Sequence, residues 1–530
     1  MHLVLPVCHS ETHNKPPRLA WDKPMNFGGE SRSREAQRGR RSHGAFLPVP
    51  ESGSGGREWF FGACRVRPGQ ARLAAFPALF PHRAQRGDDN QPMLPTLNVH
   101  AGGIDAGSTH FFVATPAGKV TSFESCTPDL HRLRDHLLVA GVTSVAMEAT
   151  GVYWLALFGV LEAAQIEVCL VNGAHVKNLP GRKSDVQDCQ WLQELHAHGL
   201  LRKSFVPAEP IRALRSYSRL RDDHIRTSAM FVQLMQKALD QLNVKLHTVI
   251  SQINGVSGLA VVRAILQGER DPAKLTDLCD VRILKTKRAR VERSLHGLWQ
   301  EEHLFALKQA LAGWEFCEAQ VKECDAAITG QLAGLTRELK LPEVKGPRPK
   351  SGRHHVLAVP QLHERLLALS GGQDAAALPG FTDTSWLKLL SEVGTDLARW
   401  PNEKAFTSWL GLSPGKDQSG KKNRRARHRP KTTAGQIFRL AAQSVGRSSY
   451  LALGGFYRRL KARTNAAVAT VATARKLAVL YYQAMRNGLA YVERGLEAYE
   501  KADRERQQRR LEKRAAEMGF ALTPINAQTV

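Results

Sequence analysis

Paired cysteines are missing from this chain. Its eight cysteines, Cys8, Cys64, Cys126, Cys169, Cys189, Cys279, Cys317 and Cys324, are scattered, with no Cys-x-x-Cys step and no Cys/His group at zinc-ligand spacing. A disulfide framework and a zinc finger are therefore excluded as organising devices, and reduced core thiols in a cytoplasmic protein are expected. Long apolar runs are missing as well. The run after Glu148, from Ala149 to Leu161, falls well short of the ~20 residues that cross a bilayer, so no membrane partner is expected. No basic region followed by an apolar block and a small-residue cleavage site opens the chain, and no secretory signal is expected. Acids are in short supply: 49 Asp and Glu face 75 Lys and Arg, a formal net charge of +26. The simplest physical use of that imbalance is neutralising a polyanion, which makes nucleic acid the leading partner and a nucleoid-associated location the expectation.

What is present is organised in blocks. A chain of 530 residues is too long for one core, so several domains are expected. Residues 1–94 are rich in Pro, Gly, Arg and Ser, and stretches such as "GGESRSREAQRGRRSHG" have no period of two or 3.6. They are expected to be disordered or, because Met93 sits just before the first strand-like pattern, to come from a misassigned start. Residues 95–206 alternate strand and helix. "GGIDAGS", "HFFVATP" and "VTSFES" read as a three-stranded meander, followed by a helix from Asp129 to Ala140 and the strand "SVAMEA". A helix from Val152 to Ala164, the strand "IEVCLVN" and a helix from about Ser184 complete the pattern. The order βββαβαβα predicts a ribonuclease-H-like mixed sheet. From 207 to 338 the strands vanish. Phe231, Met235, Ala238 and Leu242 recur every three or four residues, and a second stretch from Val291 to Leu335 predicts a long antiparallel helical hairpin or coiled coil. Residues 339–356 form a basic Pro/Gly linker, 357–500 a mostly helical unit, and 501–530 a charged tail.

Four acids fall at informative places. Asp105 lies in the first strand, and Glu148 ends the fourth, its expected neighbour. Asp185 and Asp188 stand three apart at a helix start with Ser184 as N-cap, so they share a face. Carboxylates brought together repel, and divalent cations relieve the repulsion; two Mg2+ ions ~4 Å apart can orient a phosphodiester and stabilise both attacking and leaving oxygens. Far downstream lies the densest positive charge: Lys416, Lys421, Lys422, Arg424, Arg425, Arg427, Arg429 and Lys431, read as a clamp on a phosphate backbone.

The strings "GGIDAGST", "VAMEATGVYW", "LVNGAHVKNLPGRKSDVQDCQWLQELHAHGLLRKSFVP" and "WPNEKAFTSWLGLSPGKDQSGKK" resemble the motifs of the DEDD-type insertion-sequence transposases, also described as bridge-RNA-guided recombinases. The resemblance implies that Asp105, Glu148, Asp185 and Asp188 are the DEDD acids of a RuvC-like domain. It also implies a serine nucleophile in the C-terminal transposase domain at Ser419 in "DQSGKK", with Ser413 in "GLSPG" as the competing position. A structured guide RNA, DNA at element ends and target, and a homodimer or dimer of dimers with a composite site are further implications. The segment "ALPGFTDTSWLKLLSEVG" resembles the family's helix-hairpin-helix-like region, except that Thr382, Asp383 and Thr384 stand where a second glycine is common. Arg475 and Lys476 fall on a later helix that fits the family's C-terminal one.

Overall fold

The structure, a computed structural model, describes residues 95–173, 184–344, 355–414, 416–419, 422–425, 432–449 and 451–523. The expected N-terminal extension, most of the Pro/Gly linker and the end of the tail lie outside these residues. The chain divides between Phe205 and Val206 into two compact units.

The first unit is built on β1 (Ala101–Ala106), β2 (His110–Ala114), β3 (Val120–Glu124), β4 (Ser144–Glu148) and β5 (Glu167–Val171), in the order β3-β2-β1-β4-β5. Short turns join β1 to β2 and β2 to β3, which makes those pairs antiparallel, whereas β1, β4 and β5 run parallel and need helical crossovers. The crossovers are α1 (Thr127–Val139) and α2 (Trp154–Ala163), and α3 (Asp185–Ala197) follows β5. α1 has Pro in its first turn and buries Leu130, Leu133 and Leu137. It starts two residues before the Asp129 expected from the pattern. α2 starts two residues after Val152, because the amide of Tyr153 first closes a turn onto the carbonyl of Thr150. β1 and β4 are buried along almost their whole length, as strands covered on both faces are. This mixed five-stranded sheet with its helices is consistent with the ribonuclease-H-like α/β class expected.

Among its described residues the second unit is helical apart from one hairpin. α4 (Glu209–Gln241) and α8 (Glu301–Leu335) lie antiparallel: Gln331 donates to the carbonyl of Pro210 at 2.9 Å, and Ser228 donates to Glu318 at 2.9 Å. The arms approach closely where Gly313 faces Phe231, since a Cβ there would sit 2.3 Å from the ring. Buried between them, Arg221 donates to Asp325 at 2.5 Å.

One expectation fails at the far end of these arms. The second arm does not run from Val291; α7 (Val281–Ser294) ends there and α8 starts only at Glu301. Gly297 occupies the break, where a Cβ would stand 2.7 Å from Val244 and 3.0 Å from the carbonyl of Leu242. Between the arms sit a 3-10 turn (Leu246–Thr248), α5 (Val256–Leu266), α6 (Pro272–Asp277) and α7, closed around Leu242, Leu246, Val261, Ile265, Leu275 and Val291. The hairpin therefore carries a helical cap with its own core.

The remaining elements are α9 (Leu362–Leu369), α10 (Asp383–Val393), α11 (Glu403–Trp409), the strands β6 (Lys416–Ser419) and β7 (Lys422–Arg425), α12 (Thr433–Arg447), α13 (Ala452–Arg463), α14 (Ala466–Asn487) and α15 (Leu489–Glu517). Phe381, Phe406, Phe438 and Tyr481 form their aromatic centre. Thr382, where the resembled motif often has glycine, caps α10 in a reciprocal box with Ser385. Arg219 grips Glu392 of α10 through two bonds of 2.7 and 2.8 Å, tying the arms to these helices in one packing unit. α15 continues without a break past residue 500. Among the described residues no helix is long and apolar enough to cross a membrane.

Candidate active site

The register of the sheet decides where the acids meet. β1 and β4 pair in step, with Ala101 beside Ser144 and Ile104 beside Met147, so the next step of the ladder sets Asp105 beside Glu148. Neighbours at the same step of a sheet point to the same face. That face belongs to α3: at Gly103, two residues before Asp105, a Cβ would lie 2.2 Å from the carbonyl of Cys189 and 2.4 Å from the amide of Gln193. Only a residue without a side chain lets the helix lie so close.

The direction of α3 is fixed by three contacts. His196 meets the hydroxyl of Ser144 at 2.6 Å, Gln193 donates to the carbonyl of Ala101 at 3.2 Å, and Cys189 stands over Gly103. The helix thus runs antiparallel to β1 and β4, with its C-terminus at the start of these strands and its N-terminus at their ends. Asp188 precedes Cys189 by one residue, and Asp185 lies one turn further out. Ser184 caps the helix as expected, accepting from the amide of Gln187 at 3.4 Å. Asp105, Glu148, Asp185 and Asp188 therefore all belong to one edge of the sheet; Asp185 is exposed and the other three are half-buried.

The buried thiol of Cys189 responds to this gathering. Burial first, then the negative charge of Asp105 and to a lesser extent Asp188, pushes it up to about 12. Cys189 is an inert core thiol that donates to the carbonyl of Val186 at 3.1 Å. The Glu148 carboxylate accepts from the hydroxyl of Thr150 at 3.1 Å and faces Gly173, where a Cβ would stand 2.1 Å from its Oε1. Sequence reasoning missed Gly103, Thr150 and Gly173. The only trace of them is a threonine two residues after the glutamate and glycines in "GGID" and "VNGA".

An all-oxygen set of carboxylates at the head of a helix suits a hard divalent cation, and the donors present fit one. The acids share an edge and a face without closing into a tight cage. Among the described residues, the three ligand-type side chains whose donor atoms lie within 4.8 Å of one another are Glu124, Cys126 and Asp129. There the thiol donates to Asp129 at 2.8 Å and Arg132 pairs with the same carboxylate at 2.6 Å, so that group is internally satisfied.

Ser419 ends β6, paired with Lys422 of β7; Lys416 pairs with Arg425 and Asp417 with Arg424. Lys421, Arg427, Arg429 and Lys431 lie outside the described residues. The competitor Ser413 shares a 3.3 Å hydroxyl contact with Thr407. Lys476 sits 4.8 Å over the ring of Phe456.

A DEDD transposase family model matches residues 102–244, and a model of the transposase IS116/IS110/IS902 family matches residues 374–452. No curated protein matches the chain. The first match contains the sheet edge with Asp105, Glu148, Asp185 and Asp188, and the second contains Ser419 and the hairpin. DEDD transposases of this kind suggest divalent-metal dependence, in keeping with the donor set. The chain is an IS110-family DEDD transposase, an enzyme acting on DNA.

Proposed function

We propose that this transposase excises and inserts its own element by two successive transesterifications. The hydroxyl oxygen of Ser419 attacks the scissile phosphorus, the bond from phosphorus to the departing strand breaks, and that strand leaves as a hydroxyl carrying the proton the serine gave up. The hydroxyl of the strand to be joined then attacks the phosphoserine, and the serine recovers its proton. No net hydrolysis occurs, so the energy of the phosphodiester is kept. Asp105, Glu148, Asp185 and Asp188 would hold two Mg2+ ions, which would neutralise charge on the phosphate. Lys416, Lys421, Lys422, Arg424, Arg425, Arg427, Arg429 and Lys431 grip the backbone on either side. A structured non-coding RNA selects donor and target by pairing, and the acids of one protomer work with the serine of another in a dimer or dimer of dimers. The observation that supports this reading is the in-step pairing of β1 with β4 up to Ile104 and Met147, which brings Asp105 and Glu148, the next residues, to the sheet edge where α3 begins.

The test is strand transfer from a donor plasmid, with protein–DNA adducts resolved under denaturing conditions. Glu148→Gln should abolish cleavage and adduct together. Ser419→Ala should abolish adduct and joining; if it instead leaves water-dependent cutting intact, the enzyme is a metal-dependent junction-resolving nuclease and the serine chemistry is wrong.

A further inference from the structure

The helical cap at the end of the hairpin presents a surface that the reading above does not use. α7 carries six cations, Arg282, Lys285, Lys287, Arg288, Arg290 and Arg293, against one acid, Glu292. It is amphipathic in an unusual way. Val291 is buried in the cap core and Ile283 and Leu284 pack against it, which fixes the inner face. Lys287 and Arg288 secure its flanks, donating to the carbonyl of Val249 at 3.0 Å and to Asp277 at 2.6 Å.

At 100° per residue the opposite face is the row Arg282, Lys285, Thr286, Ala289, Arg290 and Arg293, and every one of these is exposed. Four cations therefore form a stripe about 16 Å long, Arg290 at its margin also reaching the carbonyl of Thr248 at 3.5 Å, with two small residues at its centre that let a rigid polymer come close. Asp280, the N-cap, lies 3.4 Å from Arg282 and tempers one end of the stripe; Glu292 flanks the other, half-buried. DNA presents about one phosphate charge per 1.7 Å of duplex, roughly ten along such a stripe. The stripe itself carries no amide or carboxylate that could read a base edge.

We propose that the outer face of α7 is a second, sequence-independent docking surface for the phosphate backbone of DNA, separate from the residues of the sheet edge and the β6–β7 hairpin. DNA is the polyanion chosen because it is the substrate of a transposase.

The experiment is a salt titration of binding to a short DNA duplex of arbitrary sequence, comparing the full chain with the quadruple variant R282Q/K285Q/R290Q/R293Q. A control variant, K501Q/R504Q/R510Q/K513Q, removes the same charge from exposed positions of α15. Losing four contacts should reduce the slope of log K against log salt by about 3 to 4 and weaken binding near physiological salt on the order of 100-fold. The control should leave the slope unchanged. Single variants Arg282→Gln and Arg290→Gln, each expected to remove about 0.9 from the slope, test the same surface should the quadruple variant fold poorly. An unchanged slope in the stripe variants, or an equal loss in the control, overturns the proposal. So does a loss seen only with duplex RNA, which would assign the stripe to RNA. Duplex binding is read without strand cleavage, so failure of the serine chemistry would leave this result standing.

Discussion

The two ends of α3 sit at opposite edges of one sheet and meet opposite electrostatic solutions. Where β4 and β5 begin, groups are matched: His196 with Ser144 at 2.6 Å, and Lys203 with Glu167 at 2.7 Å. Where β1 and β4 end, acids come to one edge: Asp105 and Glu148 one step beyond the paired residues Ile104 and Met147, with Asp188 and Asp185 at the start of α3. The first edge is complete as protein. The second gathers carboxylates, the oxygen donors that a hard divalent cation takes.

Neutralising the acid edge is the largest way to break this contrast. Asp105→Asn and Glu148→Gln should each lower DNA cleavage on the order of 1000-fold or more, as removal of a metal-holding carboxylate does. Stability measured by urea unfolding in chelator should be unchanged or raised by up to about 1 kcal/mol, because repulsion is relieved. Divalent ions should stabilise the parent chain and not these variants. If either substitution instead destabilises the chelated protein, the acids are structural.

Gly103→Ala acts between the two edges. The added Cβ meets helix backbone at 2.2 and 2.4 Å, which cannot rotate away, so α3 must lift. A loss of about 1–3 kcal/mol is expected, with cleavage reduced further than that destabilisation explains because Asp185 and Asp188 move with the helix. Cleavage that follows the folded fraction alone would mean the height of the helix does not matter to the site.

Thr150→Val and Gly173→Ala are subtler. At Gly173 the new Cβ would meet only the end of the Glu148 side chain, and Thr150→Val removes the 3.1 Å bond that steadies it. Each should weaken Mn2+ binding by roughly 10–100-fold with little change in unfolding midpoint, and neither should matter once Glu148 is Gln. Equal losses in both backgrounds would show that they act elsewhere.

How far such detail could be read from the chain depends on its range. The sequence of strands and helices, the Ser184 cap and the strand-end positions of Asp105 and Glu148 follow from local patterns of two and 3.6 residues, and turn chemistry is local too. The cap between the hairpin arms does not follow. Its helices are short, Asp271 and Asp280 at their starts resemble loop residues, and the break at Gly297 exists because Val244, more than fifty positions earlier, fills the space. The basic run of α7 looks like solvated surface until Val291 shows which side is buried. Gly103 and Gly173 are equally silent, since what they make room for is brought there by the sheet register and not by their neighbours in the chain. The strand-end and helix-start positions of the acids were legible, and the glycines packed around them were not.

The smallest effects belong to the matched edge, and pH separates them. Lys203, through its hydrogen bond above all, holds the Glu167 carboxyl below its ordinary value of 4.5. The folded state thus binds fewer protons than the unfolded one near that value, so the stabilisation is complete above pH 4.5 and fades as pH falls through the lowered folded value. Burial pushes His196 below 6.5, so its contribution is full above pH 6.5 and is lost as the medium acidifies toward the lowered value. Both slopes have the same sign: acidification weakens this edge. Because the Glu167 side chain is 67% exposed, screening limits the pair, and Glu167→Gln should cost roughly 0.2–1 kcal/mol at neutral pH and nothing measurable at pH well below 4. Urea unfolding across pH checks this directly. A cost that persists in acid, where the Glu and Gln side chains are both neutral, would mean that the charge of Glu167 is not what it contributes.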